Sequence, residues 1–161
     1  ALTGNHAVTG MCTDRFKNIL LPSQMADNGS FPREIQRTKP YGYSLFNMDA
    51  FANAATLLSS PGNDLWRYSN AEGKSLSKGM EFIYRYITNK KEWPYAKDIY
   101  IWEEWPVRHS SLLFAALAFR NKAYIKTYLS LPSSPVHPEV IRNLPVSHPI
   151  IWLNFRKKGK Q

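Results

Sequence analysis

The chain has 161 residues, enough for one folded domain with a substantial core, and its 43% hydrophobic and 14% aromatic residues exclude a disordered chain. A net charge of +9 and a pI near 9.7 favour polyanionic partners, which include nucleic acid, an anionic membrane surface and acidic polysaccharide. No apolar run approaches the roughly 20 residues of a membrane span, and the single Cys12 cannot form an internal disulfide.

Apolar residues recur with helical spacing along most of the chain, and the alternation typical of strands is almost absent. This spacing predicts five helices, over residues 8–19, 45–58, 76–87, 110–119 and 122–129. Pro22 is expected to end the first helix, and Ser75 is expected to cap the third. Residues 110–119 are apolar nearly all round, which predicts a helix buried between neighbours. The proline-rich residues 131–153 are predicted to form an ordered loop, and residues 155–161 a solvated tail.

Helices of this length, separated by long loops rich in tryptophan and proline, are not typical of a tight four-helix bundle. They predict an all-α fold, a partial (α/α) toroid of helix hairpins with long loops. The whole of 1–161 is interpreted as a single domain. Because five helices make only part of such a ring, an upstream segment of the same protein is expected to complete it.

The stretch "GSFPREIQRTKPYGYSLFN", residues 29–47, places three cations around two tyrosines where a loop leads into a helix. The cations are Arg33, Arg37 and Lys39, and the tyrosines are Tyr41 and Tyr43. Proton abstraction beside a carboxylate, as in β-elimination across a uronic acid, needs this chemistry: a base, an acid for the leaving oxygen, and cations for the substrate carboxylate. The same pattern also fits a basic surface loop whose tyrosines pack at the start of the helix.

Other motifs are absent or ambiguous. The sequence has no glycine-rich phosphate loop, no cysteine pair for zinc and no HExxH motif, so neither a metal nor another cofactor is expected. The five tryptophans suit a core. Trp93 and Trp105, which each precede a proline in a loop, are the better candidates for stacking on a sugar ring.

Several segments in the same order carry a family resemblance. "QMADNGSFPREIQRTKPYGYSLFNMDAFANAATLL" is followed by "DLWRYSNAEGKSLSKGMEFIYRYI", "WPY" and "WPVRHSSLLFAALAF". From about Ala1 to Trp152 the chain resembles the second half of the catalytic domain of the alginate lyase family of α/α-toroid polysaccharide lyases. Asn28 stands where that family more usually has aspartate. The Asn-Asn-His-Gly element of the family is absent, which again points to an upstream segment.

The resemblance implies β-elimination between uronate residues of an acidic polysaccharide, with Tyr43 as proton shuttle and Arg37 beside it. Arg33, Lys39 and Tyr41 are then expected to line adjacent subsites. The groove wall is expected to include Trp93, Lys97, Trp105 and Arg108. The implied partner is a uronan, with no nucleic acid and no membrane, and the implied location is periplasmic or secreted. A non-catalytic fragment that binds acidic polysaccharide is the alternative, because the asparagine and histidine of the family are missing.

Overall fold

The computed structural model describes residues 4–153, and this part of the chain is all-α, as predicted. Its helices are α1 (His6–Arg15), α2 (Leu21–Gln24), α3 (Pro32–Ile35), α4 (Pro40–Leu58), α5 (Leu76–Thr88), α6 (Ser110–Phe119), α7 (Lys122–Ser130) and α8 (Pro138–Arg142). Short 3-10 helices span Lys90–Glu92, Trp102–Glu104 and Pro149–Trp152. None of the helices in these residues has the length and apolar character that a membrane crossing needs. The tail predicted for 155–161 lies outside the described residues.

The first predicted helix does not end at Pro22, which corrects that expectation. A π-type turn, Phe16–Leu20, follows α1, and the N–H of Leu21 reaches the carbonyl of Phe16. This turn widens the helix by one residue, and Pro22 then stands at the start of α2, where a missing N–H costs little. Phe16 is 1% exposed and belongs to the core, whereas Val8 and Ile19 of the same predicted stripe are 49% and 47% exposed.

α4 is the central helix of the domain. It packs against α3, α5 and α6, and α6 packs in turn against α7. Four of the predicted apolar positions of α4 are buried, namely Leu45, Met48, Phe51 and Ala55. Burying a large apolar side chain fully contributes about 1.5–3 kcal/mol, so this stripe holds α4 firmly in place.

The buried face of α6 is joined to α4 by a polar contact. Asp49 of α4 accepts a hydrogen bond from the Ser111 N–H at 2.8 Å, and its other oxygen lies 2.8 Å from Nδ1 of His109. Asp49 and His109 are both fully buried. Asp49 therefore satisfies a free N–H in the first turn of α6, and His109 has a structural place in the core rather than at a surface.

The structure confirms the predicted cap of α5 and corrects the predicted loop after α7. Ser75 caps α5 as expected, since its hydroxyl accepts the Lys78 N–H at 3.3 Å. The segment predicted as a loop, residues 131–153, instead contains α8 and a 3-10 helix. Pro138 occupies the first turn of α8, where proline is favoured, and Nδ1 of His137 accepts the N–H of Glu139 at 3.2 Å. α8 thereby presents Glu139 toward the residue that precedes α4, Lys39.

Candidate active site

The start of α4 is fixed by a carboxylate from a distant loop. Asp98 accepts the N–H of Tyr41 at 2.8 Å and the N–H of Gly42 at 3.0 Å. Asp98 is 5% exposed, and its burial raises the pKa of its carboxyl while these two backbone hydrogen bonds oppose the rise. The neighbouring Ile99 donates its N–H to the carbonyl of Thr38 at 3.1 Å. These hydrogen bonds hold the loop around Asp98 against the start of α4 and the residues that precede it.

Gly42 allows this close approach. A Cβ on Gly42 would lie 2.7 Å from Nε1 of Trp105 and 2.9 Å from Oδ2 of Asp98. Both distances are shorter than contacts between unbonded atoms permit, so a larger residue would push the loop away from α4. The small residue between the two tyrosines therefore sets the position of the first turn of α4.

Tyr43 lies in that first turn, is partly exposed, and has two cations beside its ring. The guanidinium carbon of Arg37 is 3.7 Å from the ring centroid, and Nζ of Lys39 is 4.9 Å from it. Arg37 also binds Glu34 of α3 through Nη1 at 2.7 Å. The structure therefore brings Arg37, Lys39 and Tyr43 together.

Lys39 is held from the opposite side by Glu139 of α8. The Nζ of Lys39 forms an ion pair with Oε1 of Glu139, and the two side chains are 12% and 16% exposed. Burial alone would lower the pKa of Lys39, but hydrogen bonding to Glu139 and to Tyr43 outweighs it and raises the pKa above its usual value. The same contact with Lys39 is the main cause that lowers the pKa of Glu139 to about 2. The pair is thus ionised at neutral pH.

A tyrosine and a histidine extend the cluster beyond Glu139. The hydroxyl of Tyr100 lies 2.9 Å from Nε2 of His137, the residue that caps α8. Because Nδ1 of His137 accepts a backbone N–H, its Nε2 carries the proton in the neutral ring and donates to the Tyr100 oxygen. Tyr100 is 56% exposed and therefore lies at the surface beside this cluster.

The prediction that Tyr41, Trp93 and Trp105 contact substrate is corrected by their burial. Tyr41 is 0% exposed and donates its hydroxyl to the carbonyl of Tyr86 at 3.0 Å. Trp93 and Trp105 are 8% and 4% exposed. The rings of Tyr41 and Trp93 pack edge to face, 5.1 Å apart. These aromatic side chains form the wall behind the first turn of α4 rather than a surface for a sugar.

The remaining predicted residues, Arg33, Lys97 and Arg108, are exposed or partly exposed, and none of them has a described contact with Tyr43. Arg33 is exposed on α3, and Lys97 is exposed with its Nζ 5.7 Å from the ring of Trp102. Arg108 donates to the carbonyls of Leu131 and Leu129 at 3.1 and 2.9 Å. Arg108 also lines a separate cavity of about 650 Å³. Arg108 therefore belongs to a different region from the tyrosine cluster.

Four residues of the cluster have no counterpart among the predicted site residues: Asp98, Tyr100, His137 and Glu139. Glu139 is 100 residues from its partner Lys39. Nothing in the local pattern around Pro138 indicates such a pairing, because it depends on the path of the chain after α7. Among residues 4–153, no three His, Cys, Asp or Glu side chains are grouped as metal ligands would be.

Comparison of the sequence with models of known protein families gives a match. The family model described as Alginate lyase matches residues 1–93, more than half of the 161 residues. The chain therefore belongs to the alginate lyase family, as the sequence motifs predicted. No curated protein matched it.

A solved structure extends the likeness to the fold. The crystal structure of an alginate lyase from Bacteroides ovatus matches with a TM-score of 0.67 over 88% of this chain, at 23% sequence identity. At that identity the match establishes the shared all-α fold. The chain spans 37% of the length of that lyase.

Proposed function

We propose that the protein is a polysaccharide lyase that cleaves a uronate-containing polymer by β-elimination. The observation that supports this most directly is the cluster of Tyr43, Arg37 and Lys39 in a chain of the alginate lyase family. A partly exposed tyrosine beside two cations has the groups that elimination next to a carboxylate requires.

In the proposed reaction, Tyr43 carries the proton. The C5–H bond of the uronate breaks, its electrons form the C4–C5 double bond, and the bond from C4 to the glycosidic oxygen breaks. Tyr43, as phenolate, removes the C5 proton and then delivers it to the leaving oxygen, on a uronate whose stereochemistry places both on the side of the ring that faces Tyr43. Lys39, whose Nζ lies beside the Tyr43 ring, is proposed to neutralise negative charge that develops during the reaction.

Arg37 is proposed to meet the substrate carboxylate. Its side chain is 51% exposed, and its described ion pair with Glu34 uses only Nη1. The planar guanidinium therefore has further N–H groups to offer a carboxylate, and binding there would neutralise charge as the carbanion character develops. Arg33 and Lys97, both exposed cations, are proposed to contact uronates farther along the polymer.

An alginate-like uronan is the proposed substrate class. The net charge of +9 favours a polyanion, and the solved structure of similar fold is described as an alginate lyase. Because such polymers lie outside the cell membrane, we propose a periplasmic or secreted location. We also propose that an upstream segment of the same protein supplies an asparagine and a histidine, since this chain lacks the Asn-Asn-His-Gly element.

The test is an assay of the full natural protein on polymannuronate, polyguluronate and glucuronan. Elimination creates a C4–C5 double bond conjugated with the carboxylate, and its ultraviolet absorbance is expected to rise with time on at least one polymer. The matched control is the same polymer with its carboxylates reduced to alcohols, which cannot stabilise the carbanion and should not be cleaved. Binding of the uronans without new absorbance would instead support the non-catalytic alternative.

A further inference from the structure

Glu139 is surrounded by donors on both of its oxygens. Oε1 receives the Lys39 ammonium and Nδ2 of Asn143, the latter at 3.2 Å, and Oε2 receives Nε of Arg142 at 2.9 Å. The side chain is 16% exposed. A carboxylate with this many partners has little freedom to move, so it offers Lys39 a fixed anchor.

Lys39 needs such an anchor because its side chain is long and flexible. Its backbone precedes α4, and its Nζ lies 4.9 Å from the centroid of the Tyr43 ring. A lysine ammonium is strongly hydrated and would otherwise turn toward water. The ion pair with Glu139 instead keeps Lys39 only 12% exposed and directed at Tyr43.

We propose that Glu139 is a positioning residue of the lyase site, which holds the Lys39 ammonium against Tyr43 during proton transfer. This inference rests on the proposed function. Glu139 itself acts through Lys39 and touches no reacting atom. The other charged or titratable groups that face Lys39, Tyr43 or Glu139 are Arg37, Asp98, His137 and Arg142. Glu34 pairs with Arg37.

The direction of the electrostatics supports this role. Contact with Glu139 raises the pKa of Lys39, which keeps the ammonium charged at alkaline pH. Removal of the Glu139 charge is therefore expected to lower the pH at which Lys39 loses its proton. A residue that only stabilised the fold would not shift the pH dependence of the reaction.

The experiment compares Glu139→Gln, Lys39→Met and the double variant in the full natural protein, with turnover followed by the absorbance of the unsaturated product. Glu139→Gln keeps the shape of the side chain but removes its charge. We expect its kcat to fall about 10- to 100-fold, with a smaller change in KM, because the cation is no longer held in place. The alkaline side of its pH–rate profile should move to lower pH. The double variant should be no slower than Lys39→Met alone, since both changes remove one interaction.

The control is Glu92→Gln, which breaks an exposed ion pair with Arg85 and should leave kcat unchanged. Arg142→Gln is a second test that cannot disturb the core, because the Arg142 side chain is 72% exposed. It removes one support of Glu139 and should lower kcat by a smaller factor. The inference would be overturned if Glu139→Gln and Arg142→Gln both kept the wild-type kcat. It would also be overturned if the losses in kcat of Glu139→Gln and Lys39→Met added up in the double variant.

Tyr43→Phe, measured in parallel, separates this inference from the proposed function. If Tyr43→Phe is inactive while Glu139→Gln behaves as wild type, only the role of Glu139 is wrong. If Tyr43→Phe keeps wild-type activity, the proposed mechanism is wrong. If the wild-type protein cleaves none of the polymers, both proposals are overturned.

Discussion

The guanidinium of Arg37 lies against the ring of Tyr43, with its central carbon 3.7 Å from the ring centroid. At the same time Arg37 is bound to Glu34, one helical turn earlier in the chain. This contact fixes an arginine and a tyrosine side by side at a partly exposed position. A substrate carboxylate bound by Arg37 would therefore lie beside Tyr43, which is the arrangement that the proposed elimination uses.

Replacing Arg37 by lysine tests the planar group rather than the charge. Arg37→Lys retains the cation but loses the flat surface on Tyr43 and the paired N–H groups for a carboxylate. We expect kcat/KM to fall by about tenfold or more. The matched control is Arg85→Lys, because Arg85 also pairs with a glutamate and lies near a tyrosine, 5.8 Å from the ring of Tyr86. Equal losses in the two variants would remove the special role of Arg37.

Replacing Gly42 by alanine tests how tightly the loop around Asp98 approaches α4. The added methyl would meet Trp105 and Asp98 at less than 3 Å, so we expect a loss of about 1–3 kcal/mol in the free energy of unfolding. Denaturant unfolding followed by circular dichroism measures it.

The matched control is Gly10→Ala in α1, where nothing lies within 4 Å of the new Cβ. Alanine has the higher helix propensity, so this variant should be stabilised by about 0.5–1 kcal/mol. A Gly42→Ala protein as stable as the Gly10→Ala protein would mean that the loop and α4 are not closely packed.

The ion pair of Lys39 and Glu139 predicts how stability depends on pH. Because the pKa of Glu139 is lowered from 4.5 to about 2, its contribution to stability is fully present above about pH 4.5 and is lost as pH falls toward 2. Lys39, with a raised pKa, stays charged throughout this window. The difference in the free energy of unfolding between wild type and Glu139→Gln should therefore shrink from pH 5 to pH 2. A constant difference across this range would contradict the ion pair.

Local sequence patterns predicted α4, α5 and α6 well because apolar spacing and the Ser75 cap depend on neighbouring residues alone. The pairing of Arg37 with Tyr43 could also be predicted from the sequence, since only six positions and one turn separate them. The burial of Trp93 and Trp105 could not be predicted, because the sequence pattern of a tryptophan beside a proline is the same in a core and in a groove. Glu139 and Asp98 reach the site through long-range contacts that no local pattern records.

The first helix shows a different limit of prediction from apolar spacing. Its apolar stripe has correct helical spacing, yet Phe16 is buried while Val8 and Ile19 are about half exposed. The π-type turn over Phe16–Leu20 changes the register within the stripe and lets the helix continue through Pro22. Spacing arguments assume a constant 3.6 residues per turn, and they fail where the helix departs from it.

Turnover by Tyr43→Phe is the most direct test of the proposed mechanism. The substitution removes one hydroxyl and leaves the ring that Arg37 and Lys39 contact, so the fold should persist. The matched control is Tyr84→Phe, which removes another partly buried hydroxyl, 3.1 Å from Oγ1 of Thr127. The measurement is the rate of formation of unsaturated uronate by the full natural protein. We predict that Tyr43→Phe lowers kcat by about 100-fold or more while Tyr84→Phe stays near wild type; a Tyr43→Phe protein with more than about a tenth of the wild-type kcat would contradict the account.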